Sequence, residues 1–291
     1  IYYIMNYTEK GSKIYLFSIV LVAVIGGLLF GYDTAVISGA EKGLQAFFMG
    51  ADFEYTDAIH GITSSSALIG CIIGSAVSGF FASGLGRKNS LFLAGILFFL
   101  SALGSYYPEF LFFEHGVPSY SLLVAFNFYR VLGGIGVGLA SAICPMYIAE
   151  IAPSNIRGTL VSWNQFAIIF GQLVVYFVNF LILGSHANPV IDLVNGVNQI
   201  MNPEAAAWTT ETGWRLMFVS EAVPAGLFAL LVLLVPETPR YLAMCGKDER
   251  ALNVLSRING ASQAKVILAE IKATTEEKTE RLFTYGWMVI F

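Results

Sequence analysis

The sequence predicts an all-α membrane protein that crosses the bilayer six times, and three observations support this fold class. Apolar residues make up 56% of the 291 residues and charged residues only 12%, so the chain carries more apolar surface than a soluble domain can bury. Six apolar segments recur, each near the roughly 20 residues that a helix needs to span a hydrocarbon core of about 30 Å. Lys and Arg concentrate in every second connection between these segments.

The predicted spans are residues 14–40, 59–82, 90–107, 120–148, 160–183 and 214–235. The first is not a signal peptide, because its apolar stretch is too long and five more spans follow it. After the sixth span the composition changes to short amphipathic stretches, which are typical of surface helices joining two membrane bundles. We therefore expect an N-terminal cytoplasmic tail at 1–13, a transmembrane bundle at 14–238, an intracellular helical linker at 239–281 and the start of a seventh span at 282–291.

The distribution of Lys and Arg predicts the orientation, since positive charge near the ends of spans is retained in the cytoplasm. Lys13 precedes the first span, Arg87 and Lys88 follow the second, Arg157 follows the fourth, and eight Lys or Arg residues follow the sixth. The opposite connections hold one cation, Lys42, among nine acidic residues. We expect a multi-pass protein of the cytoplasmic (inner) membrane with its N-terminus in the cytoplasm.

Small residues recur at four-residue spacing within three of the spans. They are Gly27 and Gly31 in the first, Gly70, Gly74 and Ser78 in the second, and Gly134 and Gly138 in the fourth. In lipid, such rows let the backbones of two helices approach closely and associate by packing. Ordinary helix packing is enough to explain any single pair.

Several functional classes are not expected, because the residue groupings that they require are missing from the sequence. The cysteines and histidines are scattered singly, without the spacing of a metal site, so neither a metal nor an organic cofactor is expected. No basic patch suggests nucleic acid. No grouping of nucleophile, base and oxyanion donors suggests an enzyme.

Ionisable residues inside the predicted spans are the strongest functional signal, because each costs about 2.5–3.5 kcal/mol at the membrane centre even on insertion-based scales. They are Asp33, Arg130, Arg215 and Glu221. Asp33 and Arg130 lie at similar depths, roughly 10 and 15 Å from the outer ends of their helices, so they could meet. Such a pair can act as a proton switch, and a static ion pair is the alternative. Glu221 either joins them or faces an outer vestibule, and Arg215 is interpreted as structural, reaching the interface from near its span end.

The fifth span carries a stripe of amide side chains. Gln165, Gln172 and Asn179 fall seven residues apart, an interval that returns them to nearly the same helix face. An amide both donates and accepts hydrogen bonds, which suits sugar hydroxyls, whereas an ionic substrate would call for opposite charge. We interpret the stripe as contacts to a polar ligand, with bonding between helices as the alternative.

Six motifs carry a resemblance to a known family. They are GGLLFGYDTAVISGA from Gly26, GLGRK from Gly84, YRVLGGIGVGLAS from Tyr129, PMYIAEIAPSNIRGTLVSWNQ from Pro145, GQLVVYFVN from Gly171 and PETPR from Pro236. In this order they closely resemble the sugar porter family of the major facilitator superfamily and, within it, the bacterial proton-coupled D-xylose symporters. The resemblance covers residues 5–291. It departs at Ser83, where the family often has an acidic residue three positions before its Gly-Arg pair.

The resemblance implies twelve helices in two halves, of which this chain corresponds to the amino-terminal half, with sugar bound between the halves and access alternating by rocking. It also implies roles for residues at matching positions. Asp33 matches the proton-coupling aspartate, Arg130 its arginine partner, Glu221 an acidic residue implicated in coupling, Gln165 and Gln172 sugar-contacting glutamines, and Phe30 an aromatic residue lining the sugar site.

A second set of matches concerns the cytoplasmic ends of the helices. In the family, a charge network there latches the two halves together in the outward-facing state. The matching residues are Gly86, Arg87, Glu150, Arg157, Glu237 and Arg240.

The expected function is therefore proton-coupled symport of a monosaccharide, D-xylose or a similar pentose or hexose, by alternating access. The expected partners are the sugar, membrane lipid and the carboxy-terminal half of the same transporter, with the proton as coupling ion. Two alternatives remain. An uncoupled sugar facilitator needs no titrating carboxylate, so Asp33 argues against it, and a membrane sugar sensor would bind sugar without transporting it.

Overall fold

The computed structural model describes residues 11–51, 53–110, 116–186 and 207–274, and these ranges contain helices and no β-strand. Six helices have the length and composition of membrane spans: α1 (Lys13–Met49), α2 (Asp57–Gly84), α3 (Arg87–Tyr106), α4 (Tyr120–Ile151), α5 (Arg157–His186) and α6 (Thr209–Leu234). Three shorter helices follow: α7 (Pro239–Met244), α8 (Asp248–Asn259) and α9 (261–274). The all-α, six-span fold predicted from the sequence is confirmed.

Consecutive spans run in opposite directions, so the bundle has two ends. We call the end with the start of α1, the α2–α3 and α4–α5 connections and α7–α9 the proximal end. The other end, with Met49, the α3–α4 connection and the start of α6, is the distal end. The predicted seventh span at 282–291 lies outside the described residues, as do almost all of the 1–13 tail and residues 187–206 of the long connection before α6.

The first helix is longer than predicted, because packing continues it beyond its apolar run. The sequence predicts an end at Ala40, whereas α1 continues to Met49. Phe47 and Phe48 are buried at this end, and the Phe47 ring lies 5.6 Å from the ring of Trp214 at the start of α6. The distal part of α1 is therefore held by aromatic packing.

Glycines set the closest helix contacts, as the four-residue spacing predicts. Where α2 crosses α4, a Cβ on Gly70 would collide with the carbonyl of Val131, and one on Gly134 with the carbonyl of Ala67. At the α1–α5 contact, a Cβ on Gly27 would lie 2.6 Å from Asn164 Oδ1. Backbone contact of this kind is available only to residues without a side chain, so the glycine rows are packing surfaces.

The sixth span is present as predicted, but its hydrogen bonding is interrupted in the middle. The helical hydrogen-bond pattern lapses at Ser220 and Glu221, between Trp214–Val219 and Ala222–Leu234, although both residues keep helical φ and ψ; we call this lapse the break in α6. Pro224 explains the break, because it has no N–H to donate and its ring clashes with the carbonyl four residues earlier. Helical bonding resumes with Ala225 N–H donating to the Glu221 carbonyl at 3.0 Å. The break places Glu221 inside the bundle.

Candidate functional site

A buried ion pair joins α1 to α4 in the interior of the bundle. Arg130 Nη1 donates to Asp33 Oδ1 at 2.5 Å, and Nη2 lies 3.5 Å from the Asp33 carbonyl oxygen. The side chains are 2% and 0% exposed, and the guanidinium lies 4.9 Å from the centre of the Phe218 ring. Removing two charges from water costs several kcal/mol per ion, and the attraction between the two ions compensates for that cost. Each ion therefore holds the other in place. The structure thus brings together the acid and the cation that the sequence singled out.

Glu221 adds a second carboxylate to this pair. It is 1% exposed at the break in α6, close enough to Asp33 and Arg130 for all three charges to interact. Asp33 Oδ2 and Glu221 Oε1 accept no hydrogen bond from any residue that the structure describes. Two buried carboxylates beside one guanidinium leave one negative charge uncompensated, and a bound proton would neutralise it. We call Asp33, Arg130 and Glu221 the acid–arginine cluster.

Glycine and tyrosine complete the surroundings of the cluster. A Cβ on Gly133 would meet Ser101 Cβ at 2.8 Å and Asp33 Oδ1 at 3.8 Å, so this glycine lets α3 approach the acid. The Tyr32 hydroxyl and Ser220 Oγ form a hydrogen bond of 2.7 Å, which ties α1 to the break in α6. The sequence pattern alone does not mark these residues, although a tyrosine in an apolar helix needs such a partner.

The predicted amide stripe divides into two parts. Asn179 is 4% exposed and its Nδ2 donates to the Val36 carbonyl at 3.3 Å, so it bonds between helices and differs from the expected ligand contact. Gln165 is exposed and Gln172 is half-buried, beside the α5 face that packs on α1. Phe30 on α1 is also half-buried. Of the four residues predicted to contact a ligand, Gln165, Gln172 and Phe30 stay accessible and Asn179 does not.

Four of the six predicted gate residues meet at the proximal end. Arg87 Nη2 donates to Glu150 Oε1 at 2.7 Å, which links α3 to α4. Glu237 accepts from the backbone N–H of Arg87 at 3.1 Å and of Lys88 at 3.1 and 3.2 Å, so a carboxylate caps the start of α3. Gly86 has φ +90°, and a Cβ there would collide with Glu237 and Tyr241. This contact connects the proximal ends of α3, α4 and α6.

The ionisation of Glu237 reflects opposing influences. Burial raises the pKa of Glu237 above its usual value, although the backbone N–H groups of Thr238, Lys88 and Arg87 and the charge of Arg87 favour the ionised form. The group therefore takes up a proton more readily than an exposed glutamate would.

The other two predicted gate residues are not part of this contact. Arg157 is exposed, and its Nε and Nη2 donate to the Ala152 carbonyl at 3.4 and 3.3 Å. Arg240 is exposed and forms no ion pair within the described ranges. Both side chains are exposed at the proximal surface, and within the described ranges neither pairs with Glu150 or Glu237.

Arg215 differs from the sequence expectation. It is 3% exposed rather than extended into solvent, with Nη2 and Nη1 donating to Glu109 Oε1 and Oε2 at 2.5 and 2.8 Å. Glu109 has no distinguishing signal in the sequence, where it is one of several acidic residues in the connections. Burial alone would raise the pKa of Glu109, but the hydrogen bonds and charge of Arg215, with backbone N–H groups, outweigh it and hold that pKa below its usual value.

Comparison with known proteins identifies related sequences. A family model described as "Sugar (and other) transporter" matches residues 19–289. The D-xylose-proton symporter of Escherichia coli K12 is 45% identical over 97% of this chain and 56% of its own length. The arabinose-proton symporter of Bacillus subtilis is 36% identical over 91% of this chain and 50% of its own length. The glucose facilitated diffusion protein of Zymomonas mobilis is 32% identical over 93% of this chain and 54% of its own length. The chain thus spans about half the length of these relatives.

Solved structures agree with these sequence matches. The proton:xylose symporter XylE bound to 6-bromo-6-deoxy-D-glucose superposes with a TM-score of 0.82 at 45% identity, covering 94% of this chain and 56% of that one. The inward-open conformation of XylE from Escherichia coli superposes with a TM-score of 0.76 at 44% identity, covering 90% of this chain and 56% of that one.

Proposed function

The chain belongs to the sugar (and other) transporter family, and on that premise we propose that it provides the first six spans of a proton-coupled monosaccharide symporter. Its relatives transport sugars, so it is a membrane transport protein and not an enzyme. The observation that carries the proposal is the acid–arginine cluster, in which a buried carboxylate without a full set of partners lies beside a buried guanidinium. A facilitator has no need of such a costly group.

The proposed coupling follows from the charge balance of the cluster. When Asp33 is ionised it holds Arg130, and when Asp33 takes up a proton the attraction between them falls. Any conformation in which Arg130 is released therefore binds the proton more favourably, so proton binding and conformational change are linked. Sugar binding to the same conformation would share that linkage, which is what symport by alternating access requires.

For the substrate we propose a monosaccharide held by Gln165 and Gln172, with Phe30 covering an apolar face of the ring. The amides supply donors and an acceptor at accessible positions on α5. D-xylose and arabinose are the first candidates, because relatives named for these pentoses are 45% and 36% identical.

The glutamine assignment predicts a loss of sugar affinity. We expect Gln165→Ala in the full-length transporter to weaken sugar binding at least severalfold, since losing one good hydrogen bond costs roughly 1 kcal/mol. Isothermal titration calorimetry with D-xylose measures this. Gln263→Ala, the same change at an exposed position on α9, is the control and should leave the affinity unchanged. Unchanged affinity in Gln165→Ala would assign Gln165 to helix packing instead.

We propose that the second half of the transporter covers the faces of α2 and α5 that carry exposed apolar side chains, such as Ile72 and Phe80 on α2 and Ile169 and Leu173 on α5.

At the proximal end, we propose that the Arg87–Glu150–Glu237 contact with Gly86 is a preformed part of a gate. Arg157 and Arg240 extend from the surface and would pair with acids of the second half. Because Lys and Arg concentrate at the proximal end, we propose that it faces the cytoplasm of an inner membrane.

The proposal is tested by sugar uptake into proteoliposomes containing the full-length transporter. With an inward proton gradient we expect D-xylose to accumulate above its external concentration, and a protonophore should reduce uptake to equilibration. Uptake that only equilibrates and ignores the protonophore would indicate an uncoupled facilitator, as one relative is named. Binding without uptake would indicate a sensor.

A further inference from the structure

A second buried ion pair, outside the acid–arginine cluster, anchors the distal half of α6. Besides its two bonds to Glu109, Arg215 donates from Nη1 to the Tyr106 carbonyl at 3.1 Å and from Nε to the Glu211 carbonyl at 3.1 Å. Its guanidinium lies 5.1 Å from the centre of the Phe47 ring and 4.5 Å from that of Trp214. One side chain thus joins α1, the end of α3 and α6.

The anchor matters because the hydrogen-bond ladder of α6 is interrupted at Glu221. In a continuous helix the whole backbone ladder would fix a residue in its middle, but here Pro224 removes a bond and the helical bonding lapses at Ser220 and Glu221. The position of Glu221 therefore depends on what holds the segment that precedes it. Arg215 lies six residues earlier, about 9 Å along the helix axis. The Tyr32–Ser220 hydrogen bond and the buried side chains of Trp214, Met217 and Phe218 attach the same segment.

A buried ion pair is better suited to fixing the position of a segment than to stabilising the fold. Buried ion pairs contribute little net stability, because desolvation offsets much of the attraction, and apolar replacements are often tolerated. A bidentate carboxylate–guanidinium pair does, however, fix direction and distance. Since the pKa of Glu109 is held below its usual value, the pair stays ionised at neutral pH. It gives α6 an anchor that does not titrate with the cluster.

We propose that Glu109 and Arg215 are positioning residues that hold Glu221 beside Asp33 and Arg130 through the distal half of α6. This inference rests on the proposed proton coupling. The groups facing Glu221 are Asp33 and Tyr32 from α1 and Arg130 from α4. Displacement of Glu221 changes the charge balance among them without touching the glutamines assigned to the sugar.

The test uses full-length transporter in proteoliposomes, with sugar binding, equilibrium exchange and proton-driven accumulation measured on the same preparations. Glu109→Gln leaves a buried guanidinium without its partner, so the double variant Glu109→Gln/Arg215→Met, which removes both charges, is made alongside it. For the folded variants we expect affinity and exchange within about twofold of wild type and an accumulation ratio at least about fivefold lower. The control is Asp248→Asn, which removes an exposed ion pair with Lys272 and should change nothing.

The possible outcomes separate this inference from the proposed function. If wild type accumulates sugar and the folded double variant accumulates it equally well, the positioning role is wrong and the coupling stands. If exchange and accumulation fall together, or if the double variant does not fold, the pair is structural and the inference fails in the same way. If wild type itself does not accumulate sugar, the proposed function fails and this inference with it.

Discussion

Asp33→Asn in the full-length transporter is expected to abolish uphill accumulation of sugar while sparing exchange of sugar down its gradient. The amide has nearly the shape of the carboxylate but cannot ionise, so no proton can be bound or released at this position. Arg130 is expected to remain folded into the site, because the amide oxygen still accepts a hydrogen bond. The measurement is the ratio of internal to external D-xylose under an imposed inward proton gradient, which should fall to about one when coupling is lost.

Equilibrium exchange of labelled sugar in the same vesicles is the internal control for folding and binding. Exchange needs the sugar site and the conformational change but no net proton movement, so it should persist in Asp33→Asn. An exchange rate that disappears together with accumulation would mean that the Asp33–Arg130 pair is needed for folding or access, which is the static alternative. Accumulation that survives would remove Asp33 from the coupling mechanism.

The second large effect is expected from Gly70→Val at the crossing of α2 and α4. A Cβ there collides with the backbone carbonyl of Val131, which cannot move aside as a flexible side chain could. Forcing the helices apart breaks the packing on which association in lipid depends, at a cost of typically 1–3 kcal/mol and more where backbone is struck. We expect little monodisperse protein in detergent, and a lowered melting temperature for any that is recovered.

Gly79→Val is the matched control for this effect. Gly79 lies on the same helix, but a Cβ there has no atom within 4 Å among the described residues, so the same substitution meets no obstacle within the six-span bundle. Size-exclusion profiles and thermal melting of the two variants should therefore differ sharply. Equal behaviour of the two variants would show that the α2–α4 contact is not as close as the structure has it.

The sequence predicts the acid–arginine pair because its cues are local. An ionisable residue in an apolar helix is costly, so Asp33 and Arg130 stand out without any knowledge of how the helices pack. The depth of each residue follows from the helical rise, which is why their meeting could be expected. The glycine rows are equally visible, since a four-residue period marks one face of a helix.

Other features depend on tertiary contacts that a linear pattern does not contain. Glu109 lies outside every span and has no unusual neighbour in sequence, so only the fold identifies it as the partner of Arg215. Asn179 shares a period with the two glutamines, yet it is buried where α5 packs on α1 and bonds to the Val36 carbonyl. Pro224 was visible in the sequence, but its consequence, a break that presents Glu221 to the cluster, depends on how α6 packs.

Sugar-driven proton movement tests the central claim most directly, because it measures the proton itself. Full-length transporter is reconstituted without a gradient in weakly buffered medium, and external pH is followed with an indicator dye when D-xylose is added. The account predicts that the medium becomes more alkaline as sugar enters with protons, and that Asp33→Asn gives no pH change although sugar still exchanges. Sugar entry without a pH change in the wild type, or an undiminished change in Asp33→Asn, would contradict it.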